Sequence, residues 1–484
     1  MKTILIYPKL ELVETQITIP PYSVLFIADY LINKNVDVQV FDLRFDLASQ
    51  VLDAISENEP EYVGISVMTG PQIFHALNIS KTIKAEFKDI KIVWGGIHST
   101  ILPAQTLQNK LIDMVIRGEG EIPFYELVSG KNLSQIKGLS IKMENSISHN
   151  PQAELLESSE LNKLSIPWEL INPQSYIKNK NFNMITSRGC PFKCTFCYNA
   201  LFNNVWRGWT VEKCISELDK ALTFGAKKIN FYDDNFYANI KRVKSLFHYF
   251  KENDVEWKAE LRVDRLNYSL AKEAKEHGCN QMLFGAESGS QRILNILNKN
   301  ISIEDIIRSA RITKKLDITA DYSWMIGIPG ETKKDIKRTI ALVKRVKEIN
   351  LDCEFSIKIL FPYPKTLIYD KALELGFKSP NNLDDWSKIR RERAPLYLKH
   401  RNLLEMIAIT SAIVGKKVFE QDQIPFLKLI RFPASFRWRF NFFKFGFENL
   451  FYKIFRDNIV KRISKKNTMK YDSFSHKFIS KENK

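Results

Sequence analysis

Short apolar runs alternate with amphipathic stretches over residues 1–135 of the chain. The runs predict five strands: Thr3–Tyr7, Asp37–Asp42, Tyr62–Val67, Ile90–Gly95 and Met114–Gly118. Helical spacing of apolar residues lies between them, for example at Tyr22–Asn33 and Phe74–Phe87. Nearly continuous apolar strands separated by helices are typical of parallel strands buried on both faces. We therefore predict an N-terminal doubly wound, Rossmann-like α/β domain.

A second alternation of strands and helices follows over residues 182–385. The predicted strands are Asn183–Ser187, Lys228–Phe231, Trp257–Val263, Gln281–Ala286, Thr319–Ile326 and Glu354–Leu360. The amphipathic helices between them include Val211–Leu222, Ile240–Lys251, Ser302–Leu316 and Lys333–Ile349. Six βα units in series predict a partial (β/α)6 TIM-type barrel, whose ligands bind at the carboxyl ends of the strands.

Three further regions complete the predicted organisation. Residues 136–181 contain three prolines and predict a linker with a small hairpin at 136–149. Residues 386–462 predict a basic, aromatic-rich helical region that includes an amphipathic helix at Leu403–Glu420. Residues 463–484 are polar and basic, and we expect a disordered tail.

Composition and charge narrow the functional classes. Hydrophobic residues make up 44% of the 484 residues and aromatic residues 12%, which excludes a disordered or fibrous chain. The formal net charge is +17, but 15 basic and only four acidic residues lie in Ile424–Lys484. Most of the excess therefore belongs to the tail, and the charge does not indicate a general nucleic-acid-binding protein.

The cysteine distribution and the apolar segments predict the compartment. No cysteine occurs in the first 189 residues, which does not fit a secreted disulfide framework. The segment Met1–Tyr7 opens a strand and lacks the features of a signal peptide. The longest nearly uncharged stretch, Met406–Gly415, is about half of the ~20 residues that a membrane-spanning helix needs. We expect a cytoplasmic protein.

Three of the six cysteines lie within eight residues. Cys190, Cys194 and Cys197 have the spacing C-x3-C-x2-C. Three thiolates on one loop can hold three irons of a [4Fe–4S] cluster, which leaves the fourth iron open for an exogenous ligand. A structural zinc site would need four protein ligands, and no second pair of Cys or His lies close in sequence. The other cysteines are dispersed and fit buried apolar positions.

The cysteine motif, with Phe196 before its third cysteine, resembles the radical S-adenosylmethionine (SAM) superfamily. The resemblance implies that SAM binds the open iron and is cleaved to a 5′-deoxyadenosyl radical, with electrons from an external donor of the flavodoxin or ferredoxin type. It assigns SAM contacts to these residues: Asp233 and Asp234 for the amino group, Glu287 and Ser288 for the ribose, the backbone near Ile326 for the adenine, and Arg262 for the carboxylate. Helix capping is the alternative for the two aspartates, and an exposed strand position is the alternative for the arginine.

Glycines follow several strands of the first domain, where they let a backbone approach a large flat ligand or simply make turns. In order and spacing, four segments resemble the cobalamin-binding domain of one class of radical enzymes: Pro20-Pro-Tyr-Ser, Val63-Gly-Ile-Ser-Val, Trp94-Gly-Gly-Ile-His-Ser-Thr and Arg117-Gly-Glu-Gly-Glu. The candidate cobalamin contacts are Ser66, Thr69, Gly95, Gly96, His98, Gly118, Glu119 and Gly120.

One motif of many cobalamin proteins is absent. Asp42-Leu-Arg-Phe-Asp stands where Asp-x-His-x-x-Gly supplies a lower histidine ligand to cobalt. The departure implies that bound cobalamin would have neither its own base nor a protein histidine below the metal. An empty scaffold is the alternative for this domain.

The two resemblances together imply a cobalamin-dependent radical SAM enzyme, and most such enzymes are methyltransferases acting on unactivated carbon. Radical cyclisation or oxidation is a second possibility, as in the anaerobic magnesium-protoporphyrin monomethyl ester cyclase, which has the same domain order. A non-catalytic cobalamin sensor is a third. Transfer-RNA methylthiotransferases share the barrel but need three more cysteines upstream, which this chain lacks.

The segment Ile424–Arg462 has 12 aromatic and nine basic residues among its 39. Helical spacing puts these residues on one face: Phe440, Phe443, Phe447, Leu450, Phe451 and Ile454. A basic aromatic helix can lie in a membrane interface, where anionic lipids attract its cations. We therefore expect peripheral membrane contact and favour a lipid-like substrate over other small molecules. Packing against the barrel mouth and nucleic-acid stacking are the alternatives.

Overall fold

Two β-sheets, each flanked by helices, organise the chain. The computed structural model describes residues 2–10, 19–144, 146–202, 204–389, 394–415 and 425–443. The first sheet lies within residues 2–149 and the second within residues 181–359. This architecture confirms the predicted α/β class, in which a Rossmann-like domain precedes a partial barrel built on a parallel sheet.

The first sheet contains seven strands. They are β1 (Lys2–Tyr7), β2 (Asp37–Asp42), β3 (Tyr62–Ser66), β4 (Lys91–Gly95), β5 (Met114–Ile116), β6 (Leu139–Lys142) and β7 (Ile147–His149). Its helices are α1 (Tyr22–Ile32), α2 (Ala48–Asn58), α3 (Gln72–Glu86), α4 (Gly96–Ile101), α5 (Pro103–Leu107) and α6 (Glu121–Val128). The spatial order is β2-β1-β3-β4-β5-β6-β7, and the first five of these are parallel. The last two strands are antiparallel additions.

Both faces of the first sheet are buried. Ile4 and Ile6 of β1 pack into one apolar cluster, and Leu5 packs into another on the opposite face. Successive residues of a strand point to opposite faces, so helices on both sides require apolar residues at every position. This explains the continuous apolar runs in the sequence.

The second part of the chain contains eight strands. They are β8 (Asn181–Met184), β9 (Ser187–Arg188), β10 (Arg207–Gly208), β11 (Lys228–Phe231), β12 (Glu256–Leu261), β13 (Cys279–Glu287), β14 (Thr319–Ile326) and β15 (Glu354–Ile359). The helices up to the end of this sheet are α7 (Ser158–Leu161), α8 (Val211–Thr223), α9 (Ile240–Glu252), α10 (Tyr268–Glu276), α11 (Gln291–Ile296), α12 (Ile303–Lys315) and α13 (Lys333–Ile349). Six strands form a parallel sheet in the order β15-β14-β13-β12-β11-β8, and β9 pairs with β10.

Only one face of the second sheet packs against helices. In β12, Trp257, Ala259 and Leu261 are buried, whereas Lys258 and Glu260 alternate with them and are accessible. The same alternation occurs along β14 and β15. The accessible set therefore lies on the concave face, as expected for a partial barrel.

Within the described residues, four helices follow the second sheet. They are α14 (Leu367–Glu374), α15 (Leu383–Ser387), α16 (Arg401–Gly415) and α17 (Pro425–Phe440). α16 covers the edge strand β15, where the backbone N–H of Ile357 donates to the Ser411 hydroxyl at 3.0 Å. α15 returns to the first domain, and the Trp386 indole N–H donates to the Gln105 side chain at 2.6 Å. Leu383 and Trp386 of α15 thus pack into an apolar cluster of the first domain.

The structure agrees with the sequence at most element positions. The predicted strands of both domains are present with similar bounds except Asn183–Ser187, which spans the end of β8 and the start of the separate strand β9. The hairpin predicted at 136–149 also forms, and its two strands extend the first sheet. The domain boundaries at residues 135, 181 and 385 stay predictions. In the described part of the chain no helix is long and apolar enough to span a membrane.

The predicted aromatic face after residue 440 needs a correction. α17 ends at Phe440, whose side chain is exposed, whereas Phe443 is buried against the ring of Trp438. The two phenylalanines therefore do not share one helical face. The remaining predicted members of that face lie outside the described residues.

Candidate active site

A cavity of about 380 Å³ lies between the carboxyl ends of the two sheets. Its first-domain wall consists of the loops after β3, β4 and β5 together with residues of α1. Its second-domain wall includes Tyr232 and Asp234. It also includes both ends of the segment 188–198, at Arg188, Gly189 and Tyr198; we call this segment the cluster loop because it carries the three cysteines. The cavity therefore joins the two sites that the sequence predicted separately.

Glycines and apolar side chains such as Leu5, Phe26 and Phe124 form most of the first-domain wall. The candidate cobalamin residues that line it are Ser66, Gly95, Gly96, Gly118, Glu119 and Gly120. Gly96 has a φ of +86°, and a Cβ there would lie 2.7 Å from the backbone of Val67. Glycine is required at such a position because other residues rarely adopt positive φ and would clash. A largely apolar wall with glycines at the strand ends leaves room for a broad, flat ligand such as a corrin.

Two candidate cobalamin residues, Thr69 and His98, are not among the described residues that line the cavity, and their contacts with cobalamin stay predictions. Nδ1 of His98 lies 3.1 Å from the Thr69 hydroxyl, and its ring packs against Trp386 of α15. Burial lowers the pKa of His98 to about 4, so the imidazole is neutral. These side chains belong to the junction between the first domain and α15.

A network of ion pairs joins the two walls. Arg188 donates to Glu119 at 2.9 Å and to Glu121 at 2.6 Å, and Arg207 donates to Glu119 at 2.8 Å. Burial alone would raise the pKa of Glu119, but the two guanidinium groups hold it below its ordinary value. Both arginines and Glu121 were missed by the sequence analysis. Their partners are 67 to 88 residues away in the chain.

The cluster loop presents three reduced cysteines. The thiol of Cys190 accepts a contact from the Asn235 amide at 3.7 Å, and that of Cys197 accepts one from the Asn199 amide at 3.6 Å. Burial raises the pKa of Cys197 to about 11. Binding to iron therefore has to displace the thiol proton.

The arrangement of these thiols suits a cluster. Among the described residues no three His, Cys, Asp or Glu side chains converge on a point where they could hold a single metal ion. Cysteine sulfurs that ligate a [4Fe–4S] cluster bind different iron atoms, so they need not meet at one point. The three thiols on one loop beside the cavity, with amide donors at two of them, fit such a group.

The two predicted aspartates after β11 have different environments. Oδ1 of Asp233 accepts hydrogen bonds from the Thr186 backbone at 3.1 Å and from its hydroxyl at 2.8 Å, and burial raises the pKa of Asp233. Asp234 instead lines the cavity, where it accepts from the Gly189 N–H at 3.0 Å and from the Tyr198 hydroxyl at 2.9 Å. Of the pair, Asp234 is the one placed to meet a ligand.

Two other predicted SAM residues, Glu287 and Ser288, lie at the carboxyl end of β13 and are buried. Glu287 forms a buried ion pair with Lys299 at 2.8 Å, and a Cβ at Gly285 would collide with both groups. Ser288 is fully buried and contacts the Thr339 hydroxyl at 3.2 Å, so its hydroxyl is occupied within the protein. Lys299 was not foreseen, because an isolated lysine in a loop carries no signal.

Arg262 and Ile326 are also buried. The Arg262 guanidinium lies 3.8 Å from the ring centroid of Phe192 in the cluster loop and donates to the Lys299 carbonyl at 2.5 Å. The exposed position considered for this arginine is therefore wrong. Ile326 ends β14 with its side chain buried, and its carbonyl accepts from the Leu360 N–H at 2.9 Å. Their contacts with SAM stay predictions.

Two family profiles match the chain in the order of the two sheets. The B12 binding domain matches residues 10–128, and the Radical SAM superfamily matches residues 184–343. These matches coincide with the two walls of the cavity.

Several known proteins are similar to this chain over most of its length. An uncharacterised methyltransferase of Pyrococcus horikoshii is 33% identical over 83% of this chain and 88% of that protein. The anaerobic magnesium-protoporphyrin IX monomethyl ester cyclase of Cereibacter sphaeroides is 24% identical over 63% of this chain and 52% of its own. The radical SAM methyltransferase TsrM from Kitasatospora setae, solved with cobalamin and a [4Fe–4S] cluster bound, has the same fold. Its TM-score is 0.65 at 18% identity, over 78% of this chain and 79% of that one.

The two matched domains occur in the order that the sequence resemblance implied, and the C-x3-C-x2-C loop lies in the second of them. The cofactors are therefore a [4Fe–4S] cluster, SAM and cobalamin. The chain belongs to the family of radical SAM enzymes that carry an N-terminal B12-binding domain.

Proposed function

We propose that this enzyme transfers a methyl group to an unactivated carbon of a small molecule. The observation that carries the proposal is the single cavity in which Gly95 and Gly96 of the first domain face the cluster loop and Asp234. A methyl carrier on one wall and a radical source on the other can then act on the same substrate atom. When bound, the cluster and SAM supply the 5′-deoxyadenosyl radical, and cobalamin supplies the methyl group.

The chain's own residues position these groups. Asp234 is fixed by Tyr198 and the Gly189 N–H, so its carboxylate is held at the cavity wall for an ammonium group. Arg188 of the cluster loop and Arg207 of β10 both pair with Glu119 of the first domain, which limits how far the two walls can separate. Such fixed geometry lowers the entropic cost of bringing the reacting atoms together and keeps water out.

The experiment begins with iron and cobalt analysis after anaerobic purification with hydroxocobalamin supplied. We expect about four irons and about one cobalt per chain. The holoenzyme, a flavodoxin or ferredoxin as external electron donor, and methyl-deuterated SAM are then incubated with a metabolite extract of the source organism. A product that has gained a deuterated methyl group on carbon supports the proposal. Formation of 5′-deoxyadenosine with an unlabelled, oxidised or cyclised product would favour the cyclase-type reaction instead, and cobalt without iron would favour the sensor.

Peripheral membrane contact is a second proposal, supported by the surface of α17. Phe432, Phe436 and Phe440 follow one another at four-residue intervals and are 80%, 54% and 59% exposed. Three large apolar side chains on one helical face, next to Arg439, match the pattern of an interfacial helix. The opposite side is anchored, because Ala434 packs against α16.

Cosedimentation with liposomes containing phosphatidylserine tests this contact. The triple variant F432S/F436S/F440S should lose most of the binding of the full chain, while L396S, which removes an exposed leucine elsewhere, should bind normally. Equal binding of both variants would refute the proposal.

A further inference from the structure

The concave face of the second sheet, which we call the lumen, is lined mainly by polar side chains. Strand register defines its rows. The first row contains Asn183, Asn230, Lys258, Gln281 and Thr319; the second contains Glu260, Leu283, Asp321 and Glu354; the third contains Gly285, Ser323 and Ser356; and Met325 and Lys358 lie beyond it. Only Leu283 and Met325 have apolar side chains. The second row contains three acidic residues: Glu260, Asp321 and Glu354.

The lumen is accessible and continuous with the cavity. Its residues on β12, β14 and β15 are intermediate or exposed, while the alternating residues are buried among the helices. Phe231 of β11 pairs with Ala259 of β12, so the residues that follow them, Tyr232 and Glu260, lie side by side, and Tyr232 lines the cavity. A substrate in the cavity can therefore extend into the lumen.

Glu260 stands out among the charged lumen residues. No hydrogen bond or ion pair joins its carboxylate to any residue in the described part of the chain. The surrounding protein limits its hydration and raises its pKa; Asp234 and Glu287 add to this effect, and Lys358 opposes it. A cation placed here would offset the repulsion among the three carboxylates.

These features disfavour an acyl chain in the lumen. An apolar group there would remove water from carboxylates, amides and ammonium groups without replacing their hydrogen bonds, which is costly. The lipid-like substrate suggested by the aromatic tail therefore does not match the lumen.

We infer that the substrate carries an ammonium or guanidinium group and that Glu260 is the residue that binds it. The inference rests on the proposed methyl transfer and specifies its substrate class. Glu260 then acts as a specificity-determining residue, which holds the substrate by its cation while a carbon atom elsewhere in the molecule faces the cavity.

The test uses the holoenzyme and a polar metabolite extract of the source organism, separated by charge on a cation exchanger. With methyl-deuterated SAM, we expect the labelled product in the fraction retained by the exchanger. E260Q should lower labelling at least tenfold, and E260D should restore part of it. Compounds that copurify with the holoenzyme, identified by mass spectrometry, should include a cation that E260Q no longer retains. E256Q is the matched control, since Glu256 lies on the same strand but pairs with Lys228.

Three outcomes would overturn the inference. If the deuterated methyl group enters only neutral, anionic or chloroform-soluble products, the substrate belongs to another class. A loss of SAM affinity in E260Q equal to the loss of labelling would assign Glu260 to SAM. Formation of 5′-deoxyadenosine with no label in any fraction would refute the proposed methyl transfer. The inference about the substrate would then fail as well. Labelling of a non-cationic product would leave the proposed function intact, so the two failures are distinguishable.

Discussion

The two sheets offer their ligands different surfaces, although both bind at the carboxyl ends of parallel strands. The first sheet presents glycines, apolar side chains and the Ser66 hydroxyl, with the charge of Glu119 already neutralised by Arg188 and Arg207. The second presents carboxylates, amides and ammonium groups along an open face. The first surface therefore recognises its ligand by shape, and the second recognises it by charge. If so, substitutions in one sheet should spare the ligand of the other.

The largest effect should follow from Cys194→Ala in the cluster loop. Removing one of three thiolates should abolish cluster iron and SAM cleavage, because the loop carries no fourth cysteine beyond Cys190, Cys194 and Cys197 to replace it. Cobalt should remain near the level of the unmodified enzyme. Iron and cobalt analysis measures both, and Cys353→Ala, at a buried cysteine on the far side of the barrel, is the control. Loss of cobalt together with iron would show that the two surfaces do not act separately.

Gly95→Leu should have the converse effect. The backbone at Gly95 is extended, with φ of −127°, and the nearest atom to an added Cβ is 4.0 Å away, so the larger side chain enters the cavity without strain. We expect cobalamin retention to fall at least tenfold while iron stays at about four per chain. Absorbance of bound cobalamin after gel filtration measures the change.

Gly95→Ala is the matched control for this position and should retain cobalamin nearly normally. Normal cobalamin retention by the leucine variant would contradict the assignment of this wall to the corrin.

The smallest effect concerns His98, at the junction of the first domain with α15. Its pKa of about 4 lies below the ordinary value of 6.5, so the unfolded chain takes up a proton at higher pH than the folded chain. The free energy of unfolding should therefore fall as the pH decreases from 6.5 towards 4, by about 2 kcal/mol at pH 5.

Urea unfolding of the metal-free chain at pH 7.5 and pH 5 measures this contribution. H98Q should lose less stability than the unmodified chain between the two pH values. An equal loss in both proteins would show that His98 is not held neutral in the folded state.

The strands of both sheets could be predicted because each follows a local rule. Ile4–Ile6 is apolar at successive positions and forms a strand buried on both faces, whereas Trp257 and Ala259 alternate with Lys258 and Glu260 in a strand buried on one face. The cysteine loop was equally local, since its spacing alone carried the signal. The local sequence pattern was therefore sufficient for features that depend on one segment of the chain, namely the strands and the cysteine loop.

The direction of individual side chains could not be predicted in the same way. Asp233 and Asp234 are neighbours in sequence, yet one is enclosed behind β8 and the other faces the cavity. His98 was predicted to contact the corrin, and α15, which arrives from residue 383 onwards, packs against it. Such outcomes depend on contacts with distant segments, and no local pattern records them.

The cover that α16 provides for β15 has a practical consequence. Ile357 uses its backbone N–H on Ser411, and a Cβ at Gly415 would lie 2.0 Å from the Phe355 carbonyl, so helix and strand are in direct contact. Without α16, the backbone of an apolar strand would be left as a template for pairing with other chains. Shortening the protein before residue 401 should therefore cause aggregation, whereas deletions that begin after residue 443 leave this protection in place.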